Sequence, residues 1–356
     1  MSHRQLREVR TEEPVKEIWS MLSYFESKHN CKQYLENKFQ TQNEGLVDTA
    51  NSIAFTMSTA REYYEATERV TILTRPLLIF YGMTALAKVL FMATHGKKSP
   101  SNSHGLGKVD KWNGVFPDLT MEVRKDGTFP QFHGCFNKEN LAGTKFSLKE
   151  LFSLVPEAKV EFETVFKEKS RTLKTEHCDY GINVVDTELE KYFNLETKLA
   201  KIPGFQDKYA EPERIADKLF LWSKNHEIDT LTTRTISGEE YLSLPIEQNG
   251  RFLVVPEMSA HYLIMYLLGM LSRYQPEEWG KTIKGEESGE IYLVRKFLDI
   301  TIRKFPNLIL NELHDRDFVF SGTRVETKNK LTTKQLDEIA EHTRRKIAED
   351  LRRRMY

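Results

Sequence analysis

The sequence predicts a mainly helical fold with a small β-containing insertion (α+β), its helical core built from N- and C-terminal parts. Apolar side chains recur at three- and four-residue spacing through both terminal thirds. Two stretches far apart in the chain, from Pro76 to Ala93 and from Tyr262 to Leu271, are apolar nearly all round and need cover, which packing them together provides. Alternating, turn-bounded segments are confined to the middle.

The elements follow in order. Val15, Ile18, Trp19, Leu22 and Phe25 share a helix face, and Thr11, Glu12 and Glu13 before Pro14 make a suitable start. A second stripe runs through Ala50, Ile53, Ala54, Met57, Ala60, Tyr64 and Thr67, with Asp48 or Thr49 as its expected cap. Pro76 opens the apolar helix and Gly96 is placed to end it. The stretch KKSPSNSHGLGK from Lys97 reads as an exposed loop. Leu119, Met121 and Val123 then alternate with polar neighbours as a strand, and Asp126-Gly127 predicts a hairpin whose return strand Pro130 confines to an edge. Residues 146–221 read as mixed and mostly helical, and 228–255 as β, with Asn249-Gly250 marking a hairpin. Helix returns near Glu257, breaks near Pro276 and runs to about Leu313. A last amphipathic helix spans Thr332 to Tyr356, where Leu336, Ile339, Ile347 and Leu351 share a face and Thr332 and Gln335 have capping-box spacing. The implied segments are 1–112, 113–255, 256–330 and 331–356.

Composition excludes several function classes. The 356 residues carry 52 basic and 52 acidic side chains, so no global field draws the chain to nucleic acid or anionic lipid. Lys88 inside the longest apolar run would cost roughly 2.5–3.5 kcal/mol at a bilayer centre, and the run at Tyr262 is too short to span, so a water-soluble protein is expected. Three cysteines without motif spacing fit a reducing cytosol, and the polar N-terminus lacks the apolar stretch of an export signal. A cytoplasmic location is expected.

Motifs for chemistry are sparse. Gly96-Lys97-Lys98-Ser99 has Lys98 in place of the hydroxyl of a P-loop and Phe91 in place of its first glycine, and Gly105-Leu106-Gly107 lacks the third glycine of a dinucleotide fingerprint. The pairs His95-Gly96, His104-Gly105 and His133-Gly134-Cys135, with His177 and Cys178, lack close zinc spacing, so neither metal nor cofactor is expected. The candidates for an anion or ligand contact are His104, His261 in an apolar helix, and Arg273 near that helix's end; the reading preferred for Arg273 is a C-terminal cap in a structural corner with Tyr274 and Trp279. Arg171 and His177 have the spacing of the helix-borne pair in HEPN-type ribonucleases, where His moves a proton and Arg steadies phosphate. In the last helix Arg344, Arg345, Lys346, Arg352, Arg353 and Arg354 outnumber nearby acids and could meet phosphate, though such a run is usually a solvated face.

Two blocks of sequence carry a family resemblance. Arg75-Pro-Leu-Leu-Ile-Phe-Tyr-Gly-Met83 with Ala87-Lys88 and His104-Gly105-Leu106, then Tyr266-Leu-Leu-Gly-Met-Leu-Ser-Arg-Tyr-Gln-Pro-Glu-Glu-Trp279, resemble in order the patterns of the bacterial YaaC-like proteins. The resemblance covers most of residues 10–320 and implies no reaction. Two readings follow: a non-catalytic interaction or regulatory protein, with a protein partner or self-association, or a nucleic-acid-acting enzyme of the HEPN-like ribonuclease kind.

Overall fold

A computed structural model describes residues 4–98, 101–108, 115–178, 181–186, 189–192, 194–202, 204–215, 218–224, 232–284 and 289–322. The basic helix expected at 332–356 lies outside the described residues.

Strand β1 (Gln5–Arg10) leads into α1 (Pro14–Leu22), which starts at the proline as expected, and then α2 (Lys28–Phe39). Helix α3 (Glu44–Ala66) begins a turn earlier than its apolar stripe suggests. Its cap is Asn43, whose side chain accepts the Leu46 N–H at 2.9 Å, while Asp48 and Thr49 lie inside the helix. Helix α4 (Arg75–His95) holds Pro76 in its first turn and ends on Gly96 in the left-handed conformation, where the glycine N–H closes on the Met92 carbonyl.

Strands β2 (Leu106–Lys108) and β3 (Thr120–Val123) pair antiparallel. The turn at Asp126-Gly127 feeds α5 (Thr128–His133), not a return strand. Pro130 sits comfortably early in that helix, and β3 finds its other neighbour in β4 (Lys145–Ser147). Then come α6 (Leu148–Phe152), α7 (Lys159–Phe166), β5 (Thr172–Cys178), β6 (Gly181–Val184), α8 (Leu195–Ala200), α9 (Phe205–Lys208), β7 (Glu213–Ile215), β8 (Lys218–Trp222), β9 (Thr232–Arg234) and β10 (Glu240–Ser243). Residues 146–221 are thus less helical than expected, because they supply four of the six strands of one antiparallel sheet, ordered β7-β8-β6-β5-β10-β9. The hairpin of β11 (Ile246–Gln248) and β12 (Arg251–Leu253) turns on Asn249 and Gly250, both at positive φ, as the dipeptide signals. Helices α10 (Glu257–Tyr274), α11 (Pro276–Lys284) and α12 (Glu290–His314) complete the helical set, and β13 (Arg316–Ser321) pairs parallel with β1. Helix clearly exceeds strand among the described residues.

Two apolar cores account for this arrangement. The larger takes its side chains from Ile18 to Phe162 and again from Ile246 to Phe320, so the two ends of the chain build it together. Its centre is α4, packed on α3, α10 and α12. Glycines permit the closest of these approaches: a Cβ at Gly82 would stand 2.6 Å from the Tyr64 ring, and one at Gly269 would meet Phe80 at 3.4 Å. The smaller core, from Leu173 to Leu244, lies under the six-stranded sheet. Within segment 113–255, residues 116–162 belong to the larger core and 173–244 to the smaller.

Helix α4 is the described helix long and apolar enough to cross a membrane, and most of it is buried against its neighbours. The residue just before its start is clamped by the end of α10 and by α11. The Leu73 carbonyl accepts the Ser272 hydroxyl at 2.6 Å and the Trp279 indole N–H at 3.0 Å. Trp279 is buried to within 1%. Trp279→Ala should therefore lower unfolding free energy by about 3 kcal/mol, the lower end for an aromatic truncation, since α11 is peripheral. Chemical denaturation checks this, and an unshifted midpoint would mean the indole is dispensable.

Candidate binding site

A cleft of about 380 Å³ opens between the start of α4 and the end of α10. Leu77, Phe80 and Tyr81 form one wall and Tyr266, Met270 and Arg273 the other, with His104 and Leu119 closing the side nearest the small three-stranded sheet. Both blocks that carry the family resemblance therefore converge here, although nearly two hundred positions separate them. The lining is mostly aromatic and aliphatic, and none of the described lining residues bears a carboxylate.

Local structure fixes each polar group. Arg273 lies in the last turn of α10 and is exposed; its guanidinium donates to the Tyr81 hydroxyl at 2.7 Å and stands 4.8 Å from the Tyr274 ring centroid. This phenol contact takes the place of the carbonyl cap that the helix end suggests. His104 sits on the loop before β2, its ring 5.1 Å from Phe80 and 6.1 Å from Tyr266 between centroids. Its carbonyl accepts the Phe129 N–H at 2.9 Å, and the next residue, Gly105 at φ +72°, presses on Gly127 so closely that a Cβ there would lie 2.1 Å from the Gly105 Cα. That contact holds the histidine loop against α5. Tyr266 secures the same loop by donating to the Leu106 carbonyl at 3.2 Å. Burial, with Lys88 and Arg273 nearby, pushes the His104 imidazole below its ordinary pKa.

His261, the third ligand candidate, is elsewhere and fully buried. Its Nδ1 lies 2.7 Å from the Thr301 hydroxyl and its Nε2 3.5 Å from Glu257, and burial pushes its pKa down to about 3. It belongs to an ionic cluster that the sequence did not single out. Lys304, 1% exposed, gives its ammonium to Glu157 at 2.9 Å, Glu257 at 3.3 Å and the Arg234 carbonyl. Lys304 and Glu257 border a second cavity of about 460 Å³, whose walls also include Arg4, Lys138 and Arg234. Three of the cavity's cations are already paired, Arg4 with Glu312 and Asp315, Arg234 with Glu240 and Lys304 with the two glutamates, and Glu257, Glu312 and Asp317 line the cavity beside Lys138. Such pairing argues for structure there, while the cleft beside Arg273 offers a cation whose described partner is a neutral phenol.

Arg171 precedes β5 and donates to the Pro245 carbonyl at 3.0 Å. His177 lies within β5 opposite Ile182. The pair is thus on and beside a strand, where the ribonuclease pattern has a helix. Arg344, Arg345, Lys346, Arg352, Arg353 and Arg354 fall outside the described residues. Among the described residues no three His, Cys, Asp or Glu side chains gather as a metal site.

Compared with known proteins, the chain matches the family model described as YaaC-like Protein over residues 23–313. No curated protein and no solved structure matches it.

Proposed function

The chain belongs to the YaaC-like protein family, and from that premise we propose that it is a non-catalytic binding protein of the cytosol, whose α4–α10 cleft takes up a small anion with an apolar, largely planar body. The observation that carries this reading is the pairing of an aromatic and aliphatic lining with Arg273 at the rim, uncompensated by any carboxylate among the described lining residues. The cleft's size suits a small organic molecule. Aromatic faces favour a planar body, and a guanidinium favours an acidic group with two oxygens. The described cysteines, Cys31 and Cys135, are free thiols, in keeping with a reducing compartment. Exposed Tyr274 and Leu73 lie near the rim, so an occupied cleft would present an altered surface to a protein partner, which is the regulatory role we infer.

Two fluorescent probes test the reading. 1-Anilinonaphthalene-8-sulfonate is an apolar aromatic anion, and N-phenyl-1-naphthylamine is its uncharged counterpart. The protein should bind the sulfonate roughly tenfold or more tightly than the amine, in the range of a charge-assisted hydrogen bond. Arg273→Ala should remove most of that preference while sparing the amine, and Arg273→Lys should retain part of it. Equal binding of the two probes, or a preference untouched by Arg273→Ala, would refute the proposal.

A further inference from the structure

We propose that Arg273 and His104 hold the ligand's acidic group jointly, and that His104 takes up one proton from solvent as the ligand binds. This rests on the anion-binding reading of the cleft and adds a linkage to pH. Both side chains line the same cleft, one from the end of α10 and the other from the loop before β2. The histidine is held there on every side. Phe80 and Tyr266 flank its ring, Phe129 binds its carbonyl, and the Gly105–Gly127 contact leaves the loop little freedom.

The charges around it explain why the proton waits for the ligand. Lys88 on α4 and Arg273 on α10 are the cations near enough to repel a charge on His104. Tyr81, Tyr266 and Tyr274 are the titratable groups those two helices add to the cleft wall; the first two phenols are engaged, with Arg273 and with the Leu106 carbonyl, and the Tyr274 ring lies beside the Arg273 guanidinium. The turn after β3 meets the histidine loop through backbone, and its Arg124 guanidinium reaches over Gly107 toward Tyr266 as a further cation. Partial burial and two cations disfavour an imidazolium, which is why its pKa is held low. An anion seated on Arg273 cancels one repulsion and supplies an attraction, so the protonated ring becomes the better partner. No described lining carboxylate competes for that role.

A sulfonate stays ionised throughout the neutral range, so any pH dependence of its binding comes from the protein. Affinity for 1-anilinonaphthalene-8-sulfonate should rise as pH falls from 8.5 to 6.0, approaching tenfold per pH unit where one proton is fully coupled. N-phenyl-1-naphthylamine should show no such rise. His261 and His133 titrate near 3 and 4 and stay out of this window. Calorimetry of the unmodified protein in two buffers of different ionisation enthalpy should register proton uptake near neutral pH, and His104→Gln should flatten the pH profile. Preference for the sulfonate with no proton uptake, or a slope that survives in a folded His104→Gln protein, overturns the proton coupling while leaving the anion site standing. Equal binding of both probes at every pH overturns both.

Discussion

Replacing Lys304 with Met should cost the protein about 3–5 kcal/mol, the usual penalty for removing one partner of a buried charge group. The ammonium is 1% exposed, and each of its hydrogens has a taker: Glu157, Glu257 and the Arg234 carbonyl. Without it two buried glutamates face each other uncompensated. Burial, and then repulsion from Glu257, already raise the Glu157 carboxyl above its ordinary pKa despite the lysine. In the variant both acids would have to take up protons, so its deficit should shrink as pH is lowered toward 5. Glu157→Gln should cost far less, because it removes the surplus negative charge and leaves the Lys304–Glu257 pair. Urea unfolding of the three proteins at pH 7 makes the comparison. A Lys304→Met loss under about 1 kcal/mol would show that the cluster is not the buried ionic joint described here.

That joint has a location that gives it meaning. Lys304 is on α12 and Glu257 opens α10, both in the larger core, whereas Arg234 ends β9 of the six-stranded sheet. Thr233 donates to Glu257, the Ile236 N–H to Glu157 at 3.0 Å, and Arg303 to the Ile236 carbonyl at 3.4 Å. Much of the seam between the two cores is thus polar. Apolar contacts are tolerant of register, while three acceptors around one ammonium are not, and a small sheet with its own core gains a defined seat from them. The second cavity follows from the same seam, and acids stand against three of the four cations in its walls.

The sequence made the helical frame legible where one segment carried its own signal. The all-round apolarity of α4 and α10, Pro76 and Gly96 at the ends of α4, and Asn249-Gly250 in the hairpin need no distant partner to be read. Features decided by tertiary contact were not legible. Asp126-Gly127 looks like a hairpin, yet Gly127 is required because Gly105 packs on its backbone, and the chain continues as a helix. The stripe of α3 begins at Ala50, so nothing in its period points back to Asn43 as the cap. The strands of residues 172–222 are short, and their apolar side chains cover a core separate from that of the helices, which leaves them without a long periodic run. Of the candidate ligand residues, His104 and Arg273 do share a cleft, but nothing local distinguishes them from His261, whose burial depends on Phe297 and Thr301 packing from α12. Lys304 is the plainest case, since a lysine in a helix reads as surface until its partners arrive from other elements.

Two histidines folded as neutral rings should cost the protein about 4 kcal/mol of stability between pH 7.5 and pH 5. His261 is completely buried with a pKa pushed down to about 3, and His133, between the Ser259 hydroxyl at 2.8 Å and the Glu139 carbonyl at 3.0 Å, is pushed down by burial to about 4. In the unfolded chain both titrate near the ordinary histidine value, so their contribution is complete above about pH 6.5 and is lost as pH falls toward the folded values. At pH 5 each has lost roughly 2 kcal/mol, at about 1.4 kcal/mol per pH unit. Glu157 and Asp317 oppose this, since their raised pKa values make stability fall as pH rises through the carboxyl range. Single variants separate the terms. His261→Gln and His133→Gln should each be less stable than the parent at pH 7.5, and each should lose about 2 kcal/mol less on going to pH 5, so the curves converge in acid. Urea titrations at the two pH values measure this directly. Variants that fall as steeply as the parent would mean that the two rings carry no pH-dependent stability.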